Sequence, residues 1–293
     1  MQTFYINNLN DLPDLDVNSC AIGNFDGLHV GHRDLIEKSK IQGIKSLVIS
    51  FEGLSKTNYL TTTKQKIELI EKLGVDFLII LPFRVIKLVF FNEFIQILKK
   101  LKVKYITCGA DFRFGFKREG DIIDLKKKFK LNVVDDYIVN RTRVSTSMIK
   151  EFIADGLIEE ANKLLSTSYT ICGKVVHGNK IGRKLGYPTA NIDYNDYMLP
   201  KNGVYLTVAK IKDKKYISMT NIGFNPTINE QSNPRLEVHI LDFNEEIYDE
   251  EIDVSFIKYL RSERKFNSKE ELISSLEETI NICLEHKDML ELY

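Results

Sequence analysis

Gly23-Asn24-Phe25-Asp26-Gly27-Leu28-His29-Val30-Gly31-His32 is the stretch on which the fold turns. It follows a short apolar run, Ser19–Gly23, that reads as a strand, and it opens an amphipathic helical pattern near 31–41. In an open α/β sheet, ligands bind beyond the carboxyl ends of strands. A helix starting there offers unpaired N–H groups and the positive end of a dipole. Glycines at 23, 27 and 31 are expected to let the backbone approach a bulky anion without Cβ interference. His29 and His32 are expected to direct two imidazole donors at the same phosphate oxygens, with Asn24, Phe25 and Asp26 completing the turn. Either histidine alone would read as a capping or core residue; on one Gly-rich strand-to-helix turn the pair reads as an anion site. The spacing is neither the G-x-G-x-x-G of dinucleotide folds nor a Walker A loop.

Working outward, Ser46–Phe51, Phe77–Leu81, Tyr105–Gly109 and Val133–Val139 are further strands, several of them continuously apolar. Helical patterns fall near 64–73, 92–101 and 121–130, with two more at about 147–154 and 158–165. Apolar strands alternating with helices require a parallel sheet covered on both faces, so residues 1–166 read as a doubly wound, Rossmann-like α/β domain. Beyond the Ser166-Thr167-Ser168 break the pattern changes. Tyr169–Val176, Gly203–Ile211, Tyr216–Ile222, Leu236–Phe243 and Ile252–Phe256 are strands separated by turn residues. In Gly203–Ile211, Val204, Leu206 and Val208 alternate with other residues as in a half-buried strand. One long helix, about Ser268–Glu285, follows, with Ser268 as N-cap and Glu271 completing a capping box. Residues 167–293 therefore read as a small antiparallel β-barrel with a C-terminal helix.

Of 293 residues, 43% are hydrophobic and 28% charged, and 41 Lys+Arg are balanced by 41 Asp+Glu. A chain of this length accommodates two domains at about 150 residues each. A net charge of zero supplies no global field toward nucleic acid or an anionic membrane, so neither is an expected partner. Cys20, Cys108, Cys172 and Cys283 lie far apart with no Cys-x-x-Cys pair, which argues against structural zinc and for a reducing compartment. The start of the chain lacks a signal-like pattern, and the most apolar stretch, Phe77 to Phe91, is interrupted by Pro82, Arg84 and Lys87. The expectation is a soluble cytoplasmic protein, a monomer or weak homo-oligomer.

A second constellation runs from Gly178 to Asn191. Gly178, Gly182 and Gly186, interleaved with Lys180, Arg183 and Lys184, are expected to form a flexible cationic loop suited to phosphate. Thr189 and Asn191, two residues apart on an extended segment, present a hydroxyl and an amide oxygen that can ligate Mg²⁺ alongside phosphate and water. Glu237 stands in Arg235–Leu241, where Leu236, Val238 and Ile240 face the core; its carboxylate can act as a general base on a substrate hydroxyl.

H-x-G-H on a strand-to-helix turn resembles the nucleotidyltransferases that join a substrate phosphate to the α-phosphate of ATP or CTP. Their second marker, a hydroxyl-rich turn before a late helix, is matched by Arg143-Val144-Ser145-Thr146-Ser147, with Lys150 one turn further on. Across nearly the whole chain the sequence resembles the prokaryotic bifunctional riboflavin kinase/FAD synthetase family. The resemblance adds L-T-T-T-K-Q-K at 60–66, G-A-D-F-R-F-G at 109–115, G-Y-P-T-A-N-I at 186–192, N-I-G-F-N-P-T at 221–227, L-E-V-H-I-L-D-F at 236–243 and L-R-S-E-R-K-F at 260–266.

That resemblance implies phosphorylation of riboflavin to FMN by residues 167–293. Thr189 and Asn191 would hold Mg²⁺–ATP, Glu237 would be the base, Gly178–Gly186 would cover the nucleotide and Arg261 would shape the flavin side. It implies adenylylation of FMN by a second ATP in residues 1–166, giving FAD and pyrophosphate. There His29, His32, Ser145, Thr146, Ser147 and Lys150 would meet the phosphates, and Asp111 would lie near the substrates. Alternatives are a chain with one of the two activities, a nucleotidyltransferase for another phosphorylated alcohol, and a non-catalytic flavin-binding regulator. The chain departs from the family at Gly53-Leu54-Ser55, where Pro-His-Pro is usual, at Lys150, where Arg is usual, and at Tyr248-Asp249, where Tyr-Gly is usual.

Overall fold

The structure is a computed structural model that describes residues 1–54, 57–178, 181–224 and 234–287. Ser55, Lys180 and the Asn225-Pro226-Thr227 segment lie outside the described residues. Contacts divide the chain into two compact units, Met1–Thr146 and Ser147–Tyr293.

The first unit runs β1 (Gln2–Tyr5), β2 (Ser19–Gly23), α1 (Val30–Ser39), β3 (Ser46–Glu52), α2 (Thr63–Glu71), β4 (Phe77–Pro82), α3 (Phe83–Ile86), α4 (Phe91–Lys100), β5 (Tyr105–Gly109), α5 (Ile122–Lys126), β6 (Lys130–Val134), β7 (Ile138–Val139) and β8 (Thr142–Arg143). Six strands form one sheet in the order β1-β4-β3-β2-β5-β6 with every pairing parallel. Alternation along the strands feeds two cores. Ile22, Ile49 and Ile79 pack with Phe94, Ile97 and Leu98 of α4. On the other face Ala21, Val48 and Leu78 pack with Ile36 of α1 and Ile70 of α2. This is the expected doubly wound layering. β2 lies between β3 and β5, so the strand order reverses beside it, and the stretch after Gly23 leaves the sheet at the topological switch point.

Two details differ from the sequence reading. β1 adds a parallel edge strand, and the single strand expected at Val133–Val139 is instead the end of β6 plus β7. Asp135 and Asp136 interrupt it, and β7 pairs with β8 in a hairpin whose turn residues, Asn140 and Arg141, have φ of 50° and 65°.

The second unit continues α6 (Thr146–Asp155) and then has α7 (Ile158–Leu165), β9 (Tyr169–Val176), α8 (Ile181–Leu185), β10 (Ala190–Asp193), β11 (Gly203–Ile211), β12 (Lys214–Gly223), β13 (Arg235–Ile240), β14 (Glu251–Arg261) and α9 (Lys269–Leu284). The strands close a barrel in the order β10-β13-β12-β11-β14-β9. α7 packs with the barrel. The Asn162 amide donates to Phe256 O at 2.9 Å and accepts from Tyr169 N–H at 2.7 Å. The division between compact units thus falls at 146/147, ahead of the change in sequence pattern at 166.

β11 is not half-buried but buried on both faces: Tyr205, Thr207 and Ala209 have almost no exposure, while Val204, Leu206 and Val208 lie in a cluster with Leu276, Ile280 and Cys283 of α9. Ser268 caps α9 by accepting from Glu271 N–H at 3.1 Å. The reciprocal half of the expected capping box shifts by one residue, because the Glu271 carboxylate accepts from Asn267 N–H at 2.8 Å. Thr207 Oγ1 lies 2.7 Å from both Ser218 Oγ and Thr220 Oγ1, a hydroxyl cluster with no solvent exposure. Replacing Thr207 by Val removes the hub and strands its partners. Hydrogen exchange of the β11 and β12 amides should show the opening free energy falling by about 1–3 kcal/mol.

Candidate active sites

In the first unit the turn after β2 is built around Phe25, which is fully buried with φ 54°. A Cβ at Gly23 would stand 2.9 Å from the Phe25 ring, and one at Gly31 3.3 Å from the His29 ring. These two glycines therefore make room for side chains of the turn itself, not directly for an anion as expected, while Gly27 supplies a left-handed residue at φ 77°. The Asp26 carboxylate accepts from Leu60 N–H at 2.9 Å and Thr61 N–H at 3.1 Å. Asp26 O in turn accepts from Thr146 Oγ1 at 3.4 Å, which brings the start of α6 to this turn, directly after Ser145.

His29 and His32 are brought together as the spacing predicts, with ring centroids 3.6 Å apart and stacked. Their division of labour is finer than two parallel donors. His29 is the N-cap of α1, its Nδ1 accepting from His32 N–H at 3.4 Å, so its proton resides on Nε2. Among the described residues His32 Nδ1 is buried without a hydrogen-bond partner, a cost that calls for an explanation. Burial, followed by the Arg143 charge, pushes the His29 pKa down to about 4. His32 is held well below its usual range by burial, then by His29 and Lys66. Both rings are thus neutral at physiological pH.

Asp111, one residue beyond the Gly109-Ala110 step off β5, pairs with Arg143 at 2.8 Å, and Arg143 also reaches Asp136 at 2.9 Å. The β7–β8 hairpin is thereby fastened to the end of β5. Ser147 and Lys150 lie in the second unit, on the first turns of α6. Lys66 was not singled out from the sequence: its ammonium is buried between Asn24 O at 2.7 Å and Phe51 O at 2.9 Å.

On the barrel, Glu237 pairs in register with Asn191 on β10 and Asn221 on β12. Burial, and then the neighbouring Glu263, raises its pKa, against the opposing pull of Arg235. A Cβ at Gly178 would stand 2.1 Å from Asn191 Nδ2, so the amide lies directly over that glycine. Thr189, exposed, precedes the strand. The segment expected as a flexible loop is instead helical at Ile181–Leu185, and Gly186 at φ 91° ends it. Gly182 is required there because Tyr187 O would meet its Cβ at 2.3 Å. Arg183 pairs with Glu246 at 3.2 Å. Arg261 donates to Thr279 Oγ1 at 3.2 Å, clamping the end of β14 to α9.

Sequence reasoning also missed Glu263, whose carboxylate accepts from Asn221 Nδ2 at 3.3 Å and overlies Gly223. A cavity of about 630 Å³ between α7, β14 and the His286 end of α9 contains none of the predicted residues.

Residues 13–148 match the FAD synthetase family and residues 165–286 the riboflavin kinase family. The chain is 35% identical over 290 residues to the bifunctional riboflavin kinase/FMN adenylyltransferase of Listeria monocytogenes, covering 89% of this chain and 90% of that one. With the Escherichia coli K12 protein of the same description it shares 33% identity over 91% of both chains. A crystal structure from Streptococcus pneumoniae, described as a macrolide-efflux protein, superposes with a TM-score of 0.86 at 28% identity over 97% of this chain and 99% of that one. Among the described residues of the present chain, no helix is long and apolar enough to cross a membrane.

The depressed His29 pKa makes a pH prediction. Between about 4 and 6.5 the unfolded chain binds a proton that the folded state refuses, so this contribution is present above pH 6.5 and is lost as pH falls toward 4. His29→Asn keeps an N-cap acceptor but removes the titration. Unfolding of the first unit at pH 6.5 and pH 4 should show the wild type losing about 2–3 kcal/mol more than the variant.

Proposed function

The chain belongs to the bifunctional riboflavin kinase/FMN adenylyltransferase family, and we propose that residues 167–293 carry the first activity and residues 1–166 the second. The reading is supported by one observation above all: each unit independently gathers a phosphate-competent constellation on its own scaffold. In the first it is a neutral, stacked imidazole pair at the start of α1; in the second it is a carboxylate of raised pKa between two asparagines.

In the kinase step Glu237 accepts the proton of the riboflavin 5′-hydroxyl. The freed oxygen bonds to the γ-phosphorus of ATP, and the bond to the β-phosphate oxygen breaks, leaving ADP and FMN. A raised pKa suits a carboxylate that must hold that proton. Thr189 and Asn191 offer a hydroxyl and an amide oxygen, a hard donor pair that fits Mg²⁺ delivered with ATP, and the position of the Asn191 amide above Gly178 is the geometric support. When bound, the ion would neutralise charge on the transferred phosphoryl oxygens. Gly178, Gly182, Arg183 and Gly186 shape the nucleotide cover, and Arg261 holds α9 toward the flavin side.

In the adenylyl step a phosphate oxygen of FMN bonds to the α-phosphorus of a second ATP and the bond to the β-phosphate breaks, releasing pyrophosphate and FAD. FMN supplies its own nucleophile, so no protein base is needed; positioning and charge stabilisation carry the step. Nε2–H of His29, the His32 ring and the hydroxyls of Ser145 and Thr146 meet the phosphates. Asp111, held by Arg143, flanks the flavin phosphate. The balanced net charge and the absence of a membrane-spanning helix among the described residues support a cytoplasmic enzyme whose partners are riboflavin, FMN, FAD and ATP.

Incubation with riboflavin, ATP and Mg²⁺, followed by chromatography of the flavins, should yield both FMN and FAD. His32→Ala should reduce FMN→FAD by about 100-fold or more while sparing riboflavin→FMN, and Glu237→Ala should do the reverse. Loss of both steps from either substitution in a folded chain would refute the two-site assignment.

A further inference from the structure

We propose that Lys66 is a positioning residue for adenylyl transfer, its buried ammonium tying the turn after β2 to the end of β3 and serving as the fixed positive charge beneath the neutral histidine pair. The inference rests on the assignment of adenylyl transfer to the first unit. α2 begins with a reciprocal capping box between Thr62 and Gln65, which sets the helix start at Thr63 and places Lys66 at the end of its first turn. From there the side chain runs inward, and the residue is 5% exposed.

Its acceptors are backbone carbonyls, Asn24 O at 2.7 Å and Phe51 O at 2.9 Å. Asn24 belongs to the phosphate turn, and its carbonyl also accepts from Ser50 Oγ at 3.1 Å. The ends of two neighbouring parallel strands therefore converge on one ammonium. A buried amine that served packing alone would be replaceable by an apolar chain of similar length; one whose charge faces the site would not.

The charged groups around it support the second role. Asp26, on the turn, and Glu52, at the end of β3, both favour the ammonium, but each carboxylate is directed elsewhere, to the N–H groups of Leu60 and Thr61 and to the Thr63 hydroxyl. Burial outweighs them and brings the Lys66 pKa down to about 8. On the other side its charge, with burial and His29, disfavours protonation of His32, while Arg143 does the same for His29. The imidazoles then act as neutral donors, and the charge that attracts phosphate resides on Lys66 below and Arg143 beside them.

The test uses the full chain and assays the two steps separately. Wild-type FMN→FAD turnover should fall along an alkaline limb centred near pH 8, and riboflavin→FMN turnover should lack that limb. Lys66→Met should lower kcat for FMN→FAD by about tenfold or more with the kinase step unchanged. In the same variant the His32 midpoint, followed by nitrogen NMR, should rise toward its ordinary value. Lys66→Arg keeps a cation that does not titrate in this range, so it should restore part of the rate without the limb. FAD formation at a constant rate through pH 9 in the wild type, or at the wild-type rate in Lys66→Met, would overturn the proposal. The wild-type profile decides it even where Lys66→Met does not fold. A chain that makes no FAD from FMN at any pH overturns the adenylyl assignment itself, a distinguishable result.

Discussion

The first site depends on one buried ring. Phe25 sits in the left-handed region, which costs a non-glycine residue roughly 1–2 kcal/mol. Burying the phenyl group contributes about 1.5–3 kcal/mol, enough to offset that cost. The missing Cβ of Gly23 leaves the space the ring occupies. Once the ring is seated, Asp26 faces Leu60 and Thr61, His29 reaches the cap position of α1, and Asn24 O is presented to Lys66. The histidines and the lysine are therefore coupled through the backbone of four residues, and no element of this site can shift alone.

Much of the architecture was legible because buried parallel strands must be apolar on both faces. β2, β3, β4 and β5 were visible for that reason, and the alternation of helices gave their connection. β1 was not visible: it pairs only with β4 at the sheet edge, and its residues remain partly exposed. β10 was equally hidden, because Ala190-Asn191-Ile192-Asp193 contains a single fully buried side chain. β11 was located correctly but its environment was not, since a barrel strand under a helix is apolar on its outer face too. Where a strand meets two covers, period two ceases to mark the solvent side.

The site shows a similar division. That His29 and His32 lie together was legible from their spacing, and the strand bearing Glu237 and the start of α6 from their local pattern, because each motif is local in sequence. Only the fold reveals that the Asp26 carboxylate also holds a loop 34 residues away. Lys66 was quoted within a motif but not weighed, because a lysine in an amphipathic helix ordinarily marks the solvated face, whereas this one points under the neighbouring turn. Glu263 was quoted within a motif but not weighed: its bond to Asn221 joins residues 42 apart, beyond any periodicity.

The closed barrel carries a consequence for biosynthesis. β14 pairs with both β9 and β11, and β9 also pairs with β10, so the ring has a single late keystone. A ribosome extends the chain at roughly 5–20 residues per second. β9 therefore waits several seconds, through the synthesis of about eighty residues, before its partner strand emerges. During that interval its outer edge is an open ladder of N–H and C=O groups. The parallel sheet carries a comparable delay, because β2 pairs with β5, which follows it by about eighty residues. Vectorial synthesis thus leaves each unit with a templating edge, β2 in the sheet and β9 in the barrel, that stays open to other nascent chains until a strand about eighty residues further on emerges.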